Sequence, residues 1–230
     1  MRTANPSNIR DDFLIALDDI KDAVDDITGK GVAQKSRRHA VEYSYLAASI
    51  LLEGFISDLF VAYINKKNTS FVAHLTGKMK IESDDLVSKR AIQYATVDIA
   101  SHLTLEKIRQ ILDPRDWNVS FSTTADLKAK AGQWLDAPYC GYFTSLSAPH
   151  GAMLDATKAT RNYLAHRSGA SQIAMQAALA LPSLTLGFRR GTNNVISVGS
   201  FLDSTPPGGV QTRLFFYISE LKSIAAHLCP

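Results

Sequence analysis

The chain has 230 residues, of which 46% are hydrophobic and 20% are charged. This ordinary globular composition excludes a disordered protein and a fibrous repeat. The net charge of +3 is uneven, because residues 1–30 carry seven aspartates whereas residues 156–202 contain basic residues and no acidic one. The acid-free segment favours an anionic ligand, although small basic runs also occur on ordinary solvated surfaces.

Apolar residues recur at helical spacing through the first half of the chain. They predict a helix over residues 9–27 and a long helix from 36 to about 66. The long helix is apolar around most of its circumference, which is typical of the central helix of a bundle. A helical pattern also begins at Ser83 and runs to residue 99. Thr104 has the sequence context of an N-cap, which predicts a short helix over 105–112.

The second half of the chain combines helical patterns with one predicted hairpin. Residues 183–189 and 195–201 flank a turn-forming Gly-Thr-Asn-Asn, which favours a small β-hairpin. A Pro-Pro-Gly-Gly linker follows at 206–209. The remaining helices are predicted over residues 124–135, 148–166, 171–181 and 212–228.

These elements predict an all-α fold. We expect an up-down bundle of four to five core helices, with a small β-hairpin and a C-terminal helix. The bundle is expected to span residues 1–170. Residues 171–230 would then form an extension packed on the same domain, and the sequence does not decide what this extension does.

Cysteine usage and hydropathy bear on location and cofactors. Cys140 and Cys229 are far apart and have no zinc-type spacing, and the chain begins with no recognisable export signal. These features predict a reducing, cytoplasmic location. The most apolar stretch, residues 43–64, is interrupted by Glu53 and Asp58, which argues against a membrane span. The histidines lack ligand-type spacing and no phosphate-loop motif is present, so we expect no metal and no cofactor.

One short stretch combines residue types suited to acid–base chemistry. Asn162 and His166 are four residues apart on the predicted helix, so they share one face. Arg161 lies about 140° away from His166 around the axis, an arc that a long guanidinium covers if the last turn loosens. The three side chains are therefore expected to converge beside a helix C-terminus. The structural alternative is that Arg and His only favour the negative end of the helix dipole.

Such a trio suits cleavage of RNA by its own 2′-hydroxyl. Histidine titrates near neutrality and serves as general base or acid. Arginine is permanently charged and binds phosphate oxygens, so it stabilises the dianionic transition state. One histidine and one arginine are a small set for this chemistry, which suggests that two copies of the chain pair in a dimer.

Three stretches in order along the chain resemble the HEPN superfamily, most of all its RiboL-PSP-HEPN and toxin or defence branches. Arg161 to His166 matches the R-x4-H pattern, with polar Asn162 after the arginine. Residues 47–59 resemble the family's long apolar helix with a central Glu-Gly, here Glu53-Gly54. Residues 103–112 resemble a short helix between these two elements.

The resemblance implies a helical homodimer with metal-independent ribonuclease activity, in a toxin–antitoxin or phage-defence setting. It implies RNA as substrate, an antitoxin or defence protein as a possible partner, and catalytic positions for Arg161, His166 and Asn162. Glu53 would be the supporting acidic residue. Lys158 and Arg167, which flank the motif in the basic segment, are expected to bind substrate.

Two alternatives remain open at this point. Some members of the family lack nuclease activity, so the chain is alternatively a non-catalytic module that binds a nucleotide or a partner, or a structural dimerisation domain. Glu53 lies among apolar residues and needs a partner if it is buried. Arg161 is the candidate partner, and a solvated or serine-bonded Glu53 is the alternative.

Overall fold

The computed structural model describes residues 4–79, 82, 84–92, 94, 99, 102–115 and 118–230. Within these ranges the regular secondary structure is entirely helical, which confirms the all-α prediction. The helices are α1 (Pro6–Gly29), α2 (Gln34–Lys66), α3 (Thr69–Lys78), α4 (Leu86–Ile92), α5 (Leu105–Leu112), α6 (Thr124–Trp134), α7 (Tyr139–Thr144), α8 (Ala148–His166), α9 (Gly169–Leu179), α10 (Val198–Asp203) and α11 (Arg213–Leu228).

Helix α2 is the centre of the fold, as its apolar circumference predicts. It packs against α1, α5, α8, α10 and α11. The consecutive residues Leu59, Phe60, Val61 and Ala62 are all buried, although successive side chains point about 100° apart around the helix. An α-helix that is apolar on all sides is stable in water only when neighbours cover every side.

By length and composition alone, α2 is also long enough and apolar enough to cross a membrane. In the structure, 67% of its most apolar window is buried inside the protein. The two acidic residues in this stretch form ion pairs, Glu53 with Arg161 and Asp58 with Arg109. The helix therefore acts as the core of the bundle in this structure.

The C-terminal residues complete the same core. Leu202 of α10 and Leu221 of α11 are fully buried in one cluster with Leu17 of α1 and the apolar side of α2. The rings of Tyr45 and Tyr217 lie 4.4 Å apart and join α2 to α11. Fully buried side chains also come from α5, α6, α7, α8 and α9. The expected count of four to five core helices is therefore not supported.

Side-chain caps mark the N-termini of seven of the described helices. Thr104 accepts a hydrogen bond from the Lys107 amide, and Ser147 accepts one from the His150 amide, as N-caps do. The sequence missed α3, and it missed α7 inside a loop rich in proline, glycine and aromatics. Helix α4 begins at Leu86, and the predicted start at Ser83 lies outside the described residues.

The predicted β-hairpin is wrong, because the described chain shows turns and a short helix in its place. Residues 183–189 form successive turns, and residues 198–203 form α10. The Gln176 side chain accepts from the Val195 amide at 3.0 Å and donates to the Val195 carbonyl at 2.7 Å. A side chain thus satisfies the backbone groups that a strand partner would have paired.

Candidate functional site

The candidate site is built around an ion pair between α8 and α2. Nη2 of Arg161 lies 3.4 Å from Oε2 of Glu53, and Nη1 donates to the Asn162 side-chain oxygen at 3.2 Å. This is the pairing that the sequence suggests for Glu53. The side chains of Arg161 and Glu53 are 29% and 40% exposed, so both reach solvent. Nε of Arg161 is buried, and no described residue forms a hydrogen bond with it.

Small residues on α8 bring this arginine close to α2. Ala152, Ala156 and Thr160 follow each other at four-residue spacing, and all three are buried. Side chains four apart form one ridge on a helix, and small ones let a neighbouring helix approach closely. Arg161 lies one residue after Thr160, about 100° around the helix from this ridge, and its long side chain reaches Glu53 on α2.

A polar cleft opens beside the ion pair. Its empty volume is about 970 Å³, including solvent at its mouth. Three basic side chains and two acidic ones line it, so the balance of formal charge is +1. The lining residues are Glu53, Asp113, Pro114, Arg115, Asn118, Ser120, Lys158, Arg161 and Asn162.

A second, apolar cleft of about 660 Å³ adjoins the polar one. The two clefts share Glu53, Asn118, Ser120 and Lys158. The apolar walls come from α2, the loop before α6, α6 and α8, and they comprise Leu52, Ile56, Val119, Phe121, Leu127 and Leu154. Such a pair of clefts has room for a flat apolar group beside a charged one.

Lys158 and Asp155 hold the rim between these clefts. The Lys158 ammonium donates to the Phe121 carbonyl, which fixes the loop before α6. Asp155 accepts from both the amide and the hydroxyl of Thr124, at 2.7 and 3.0 Å. Lys158 has two further N–H donors. The predicted substrate-binding lysine therefore lies at the cleft with donors to spare.

His166 is separated from the other motif residues. It is the last residue of α8 and is exposed, and it lines neither cleft. Among the residues that the structure describes it forms no hydrogen bond or ion pair. A single chain thus brings together Glu53, Arg161 and Asn162. The expected convergence of His166 with them is not formed within one chain.

Arg167 has a partner within the protein. Its Nη2 lies 2.8 Å from Oε2 of Glu42, and its guanidinium lies 5.3 Å from the ring centre of Tyr163. The other Glu42 oxygen accepts from the Gly199 amide at 2.8 Å. Arg167 is also in the left-handed region, with φ of 50°, where it ends α8. These contacts favour a structural role for it, and its predicted substrate binding stays a prediction.

Sequence reasoning missed the loop that closes the polar cleft. Asp113, Arg115 and Asn118 lie between α5 and α6 and were not singled out, although Asp113-Pro114 ends a helix and adds charge. The Asn118 amide donates to Asp113, and Asn118 has a φ of 71°, which asparagine tolerates well. Only the packing of α5 on α2 brings this loop to Arg161.

The described part of the chain has no metal-binding cluster, and the chain matches no known protein. No group of three or more His, Cys, Asp or Glu side chains suited to a metal ion occurs in the described ranges. No family model, curated protein or solved structure matches this chain.

Proposed function

We propose that this protein is a metal-independent endoribonuclease of HEPN type, acting as a toxin or phage-defence effector in the cytoplasm. The observation that supports the proposal is Arg161 held by Glu53 and Asn162 at a cleft of net positive charge. A guanidinium fixed on two sides presents its remaining N–H groups in one direction, which suits a phosphodiester oxygen. The neighbouring apolar cleft accepts a nucleobase of the same RNA strand.

The proposed reaction uses only groups of the RNA and of the protein. A general base removes the 2′-hydroxyl proton, the 2′-oxygen forms a bond to phosphorus, and the bond from phosphorus to the 5′-oxygen breaks. A general acid protonates the 5′-oxygen, so the products are a 2′,3′-cyclic phosphate and a 5′-hydroxyl. Arg161 stabilises the negative charge of the transition state, and His166 serves as base or acid.

The position of His166 makes a homodimer part of the proposal. His166 is exposed at the end of α8 and free to face a second copy of the chain. Two chains that pair along this end supply two imidazoles and two guanidinium groups to one composite site. A twofold interface of this kind presents the same patch from both subunits. An antitoxin or defence partner would act by controlling the formation of this dimer.

The test is cleavage of RNA by the purified protein in EDTA. We expect cyclic-phosphate products from the wild type, and a loss of about 100-fold or more in rate for His166→Ala and Arg161→Ala. His39→Ala replaces another exposed histidine of the chain, and Arg109→Ala breaks another ion pair with α2, so both controls should cut RNA normally. Equal cutting by wild type and His166→Ala contradicts the proposal.

A second candidate function is favoured by the separation of His166 from the cleft. A binding module needs only Glu53, Arg161 and Asn162, which a single chain does bring together. This function predicts that the protein binds RNA or a nucleotide, that Arg161→Ala loses the binding, and that mass spectrometry finds no cleavage product. Binding that survives in His166→Ala, with no cleavage by the wild type, would favour this candidate over the nuclease.

A further inference from the structure

A cavity in the C-terminal region has the composition of an anion site. It is open to solvent and lies between the loop before α10 and the start of α11, and its empty volume is about 840 Å³, including solvent at its mouth. Two arginines, two asparagine side chains and three serines line it, and no acidic residue does. The lining residues are Arg190, Gly191, Asn193, Asn194, Val195, Ile196, Ser197, Ser200, Phe201, Ser204 and Arg213.

Arg213 carries a buried charge that no carboxylate in the described chain neutralises. It is 9% exposed, and burial lowers the pKa of its guanidinium. Nη1 donates to the Ser204 hydroxyl at 2.6 Å and to the Ser204 carbonyl at 3.4 Å, and the group lies 4.7 Å from the ring centre of Phe201. Nε has no partner. Such a charge is costly to bury, and an anion in contact with it would offset the cost.

Arg190 supplies the second positive charge and shapes the cavity wall. Its Nε donates to the Gln176 carbonyl at 3.0 Å. Its Nη1 faces three carbonyls of the following loop, at 3.1 to 3.2 Å, from Gly191, Thr192 and Asn193. In the part of the chain that the structure describes, no carboxylate forms an ion pair with it. Neutral carbonyls therefore fix the guanidinium in place and leave its charge uncompensated.

The acidic residues near this cavity are already engaged elsewhere. Asp203 pairs with Arg37 at 2.8 Å. Glu42 pairs with Arg167 and accepts from the Gly199 amide. Neither carboxylate lines the cavity. The region around the cavity thus offers an anion two cations, several hydroxyl and amide donors, and no competing acid.

We propose that this cavity binds a phosphate group, with Arg213 and Arg190 as its cationic ligands. Guanidinium groups bind tetrahedral oxyanions through paired N–H bonds, and serine hydroxyls and asparagine amides add neutral donors. The site is separate from the Arg161 cleft. Helix α10, which borders the cavity, contacts one end of α2, where Gly199 approaches the Arg38 carbonyl. Arg38 lies fifteen residues before Glu53, which is about 22 Å along the helix.

The test measures phosphate binding in the full-length protein and in an isosteric variant. Asn194→Asp places a carboxylate in the cavity at an exposed position, so the fold should be preserved. We expect orthophosphate, compared with chloride at equal ionic strength, to raise the Tm of the wild type and to shift its NMR signals around Ser200. We expect Asn194→Asp to weaken phosphate binding at least tenfold and to raise the Tm without ligand.

Matched controls and ligands complete the experiment. Arg189→Gln removes a neighbouring arginine outside the cavity, and Gln133→Glu adds a distant exposed charge, so both should bind phosphate as the wild type does. Two further ligands, a nucleoside 5′-monophosphate and a DNA oligonucleotide, distinguish a free nucleotide from a nucleic-acid strand as the source of the phosphate group. DNA has no 2′-hydroxyl, so the proposed nuclease cannot cleave it. Binding that is absent, or equal in the wild type and Asn194→Asp, overturns the proposal. Arg161→Ala should leave phosphate binding in this cavity intact, so this experiment can succeed or fail independently of the nuclease test.

Discussion

Helix α2 carries polar groups in two contrasting environments. In the interior, Ser49 donates to the Tyr45 carbonyl at 2.8 Å and lies 3.1 Å from the Tyr217 hydroxyl, and all three residues are fully buried. Further along the helix, Glu53 reaches an open cleft and meets Arg161. The sealed groups use their hydrogen bonds on each other, whereas the open pair keeps donors and acceptors for a ligand. Burial thus separates the stabilising polar groups from those available for function.

The largest effect that we expect is unfolding at alkaline pH, which tests how completely the tyrosines are buried. Burial raises the pKa of Tyr45, Tyr63 and Tyr217 above the value near 10 of an unfolded chain. Above that pH the unfolded chain releases protons that the native chain keeps. The free energy of unfolding should therefore fall as pH rises, by ~1.4 kcal/mol per pH unit for each tyrosine.

Urea unfolding at pH values from 8 to about 11 measures this loss, and tyrosinate absorbance follows the ionisation. We expect three of the eight tyrosines to ionise only as the protein unfolds. If these three tyrosines ionise together with the others while the helical signal persists, the buried tyrosines are open to solvent.

The second prediction concerns the buried link between α9 and the loop before α10. Replacement of Gln176 by Leu leaves the buried amide and carbonyl of Val195 without partners. Two such groups should lower the free energy of unfolding by about 3 kcal/mol. Gln172→Leu changes an exposed glutamine on the same helix and should have little effect. Equal stability of the two variants in urea would show that this side chain does not hold the loop.

The smallest predicted effect lies at the open pair. Glu53→Gln removes the charge that holds Arg161, and the pair is partly exposed, so we expect the free energy of unfolding to change by less than ~1 kcal/mol. RNA cleavage should fall about tenfold, because the guanidinium loses its orientation. Asp58→Asn weakens the exposed pair with Arg109 to a similar extent and serves as control. A fall in cleavage equal in both variants would mean that Glu53 does not position Arg161.

Much of the helical architecture was predictable because the signals are local. A cap such as Thr104 bonds an amide three residues away, and the apolar spacing of α2 repeats every turn. The meeting of Glu53 with Arg161 was inferred because a carboxylate among apolar residues needs a cation. The false hairpin arose since residues 183–201 have the turn composition of one. In this segment the backbone of Val195 pairs instead with the side chain of Gln176, a contact that no local sequence pattern reveals.

The amino-acid sequence by itself determined that the chain is helical, that α2 is its central helix and that Arg161 and Asn162 share the end of α8. Tertiary structure decided that Asp113, Arg115 and Asn118 close the cleft and that His166 stays outside it. It also decided that Arg213 is buried with no acidic partner among the described residues. Helix formation depends on hydrogen bonds and apolar spacing within a few residues. Clefts and buried charges depend on contacts between segments far apart in the chain, so they exist only once the helices have packed.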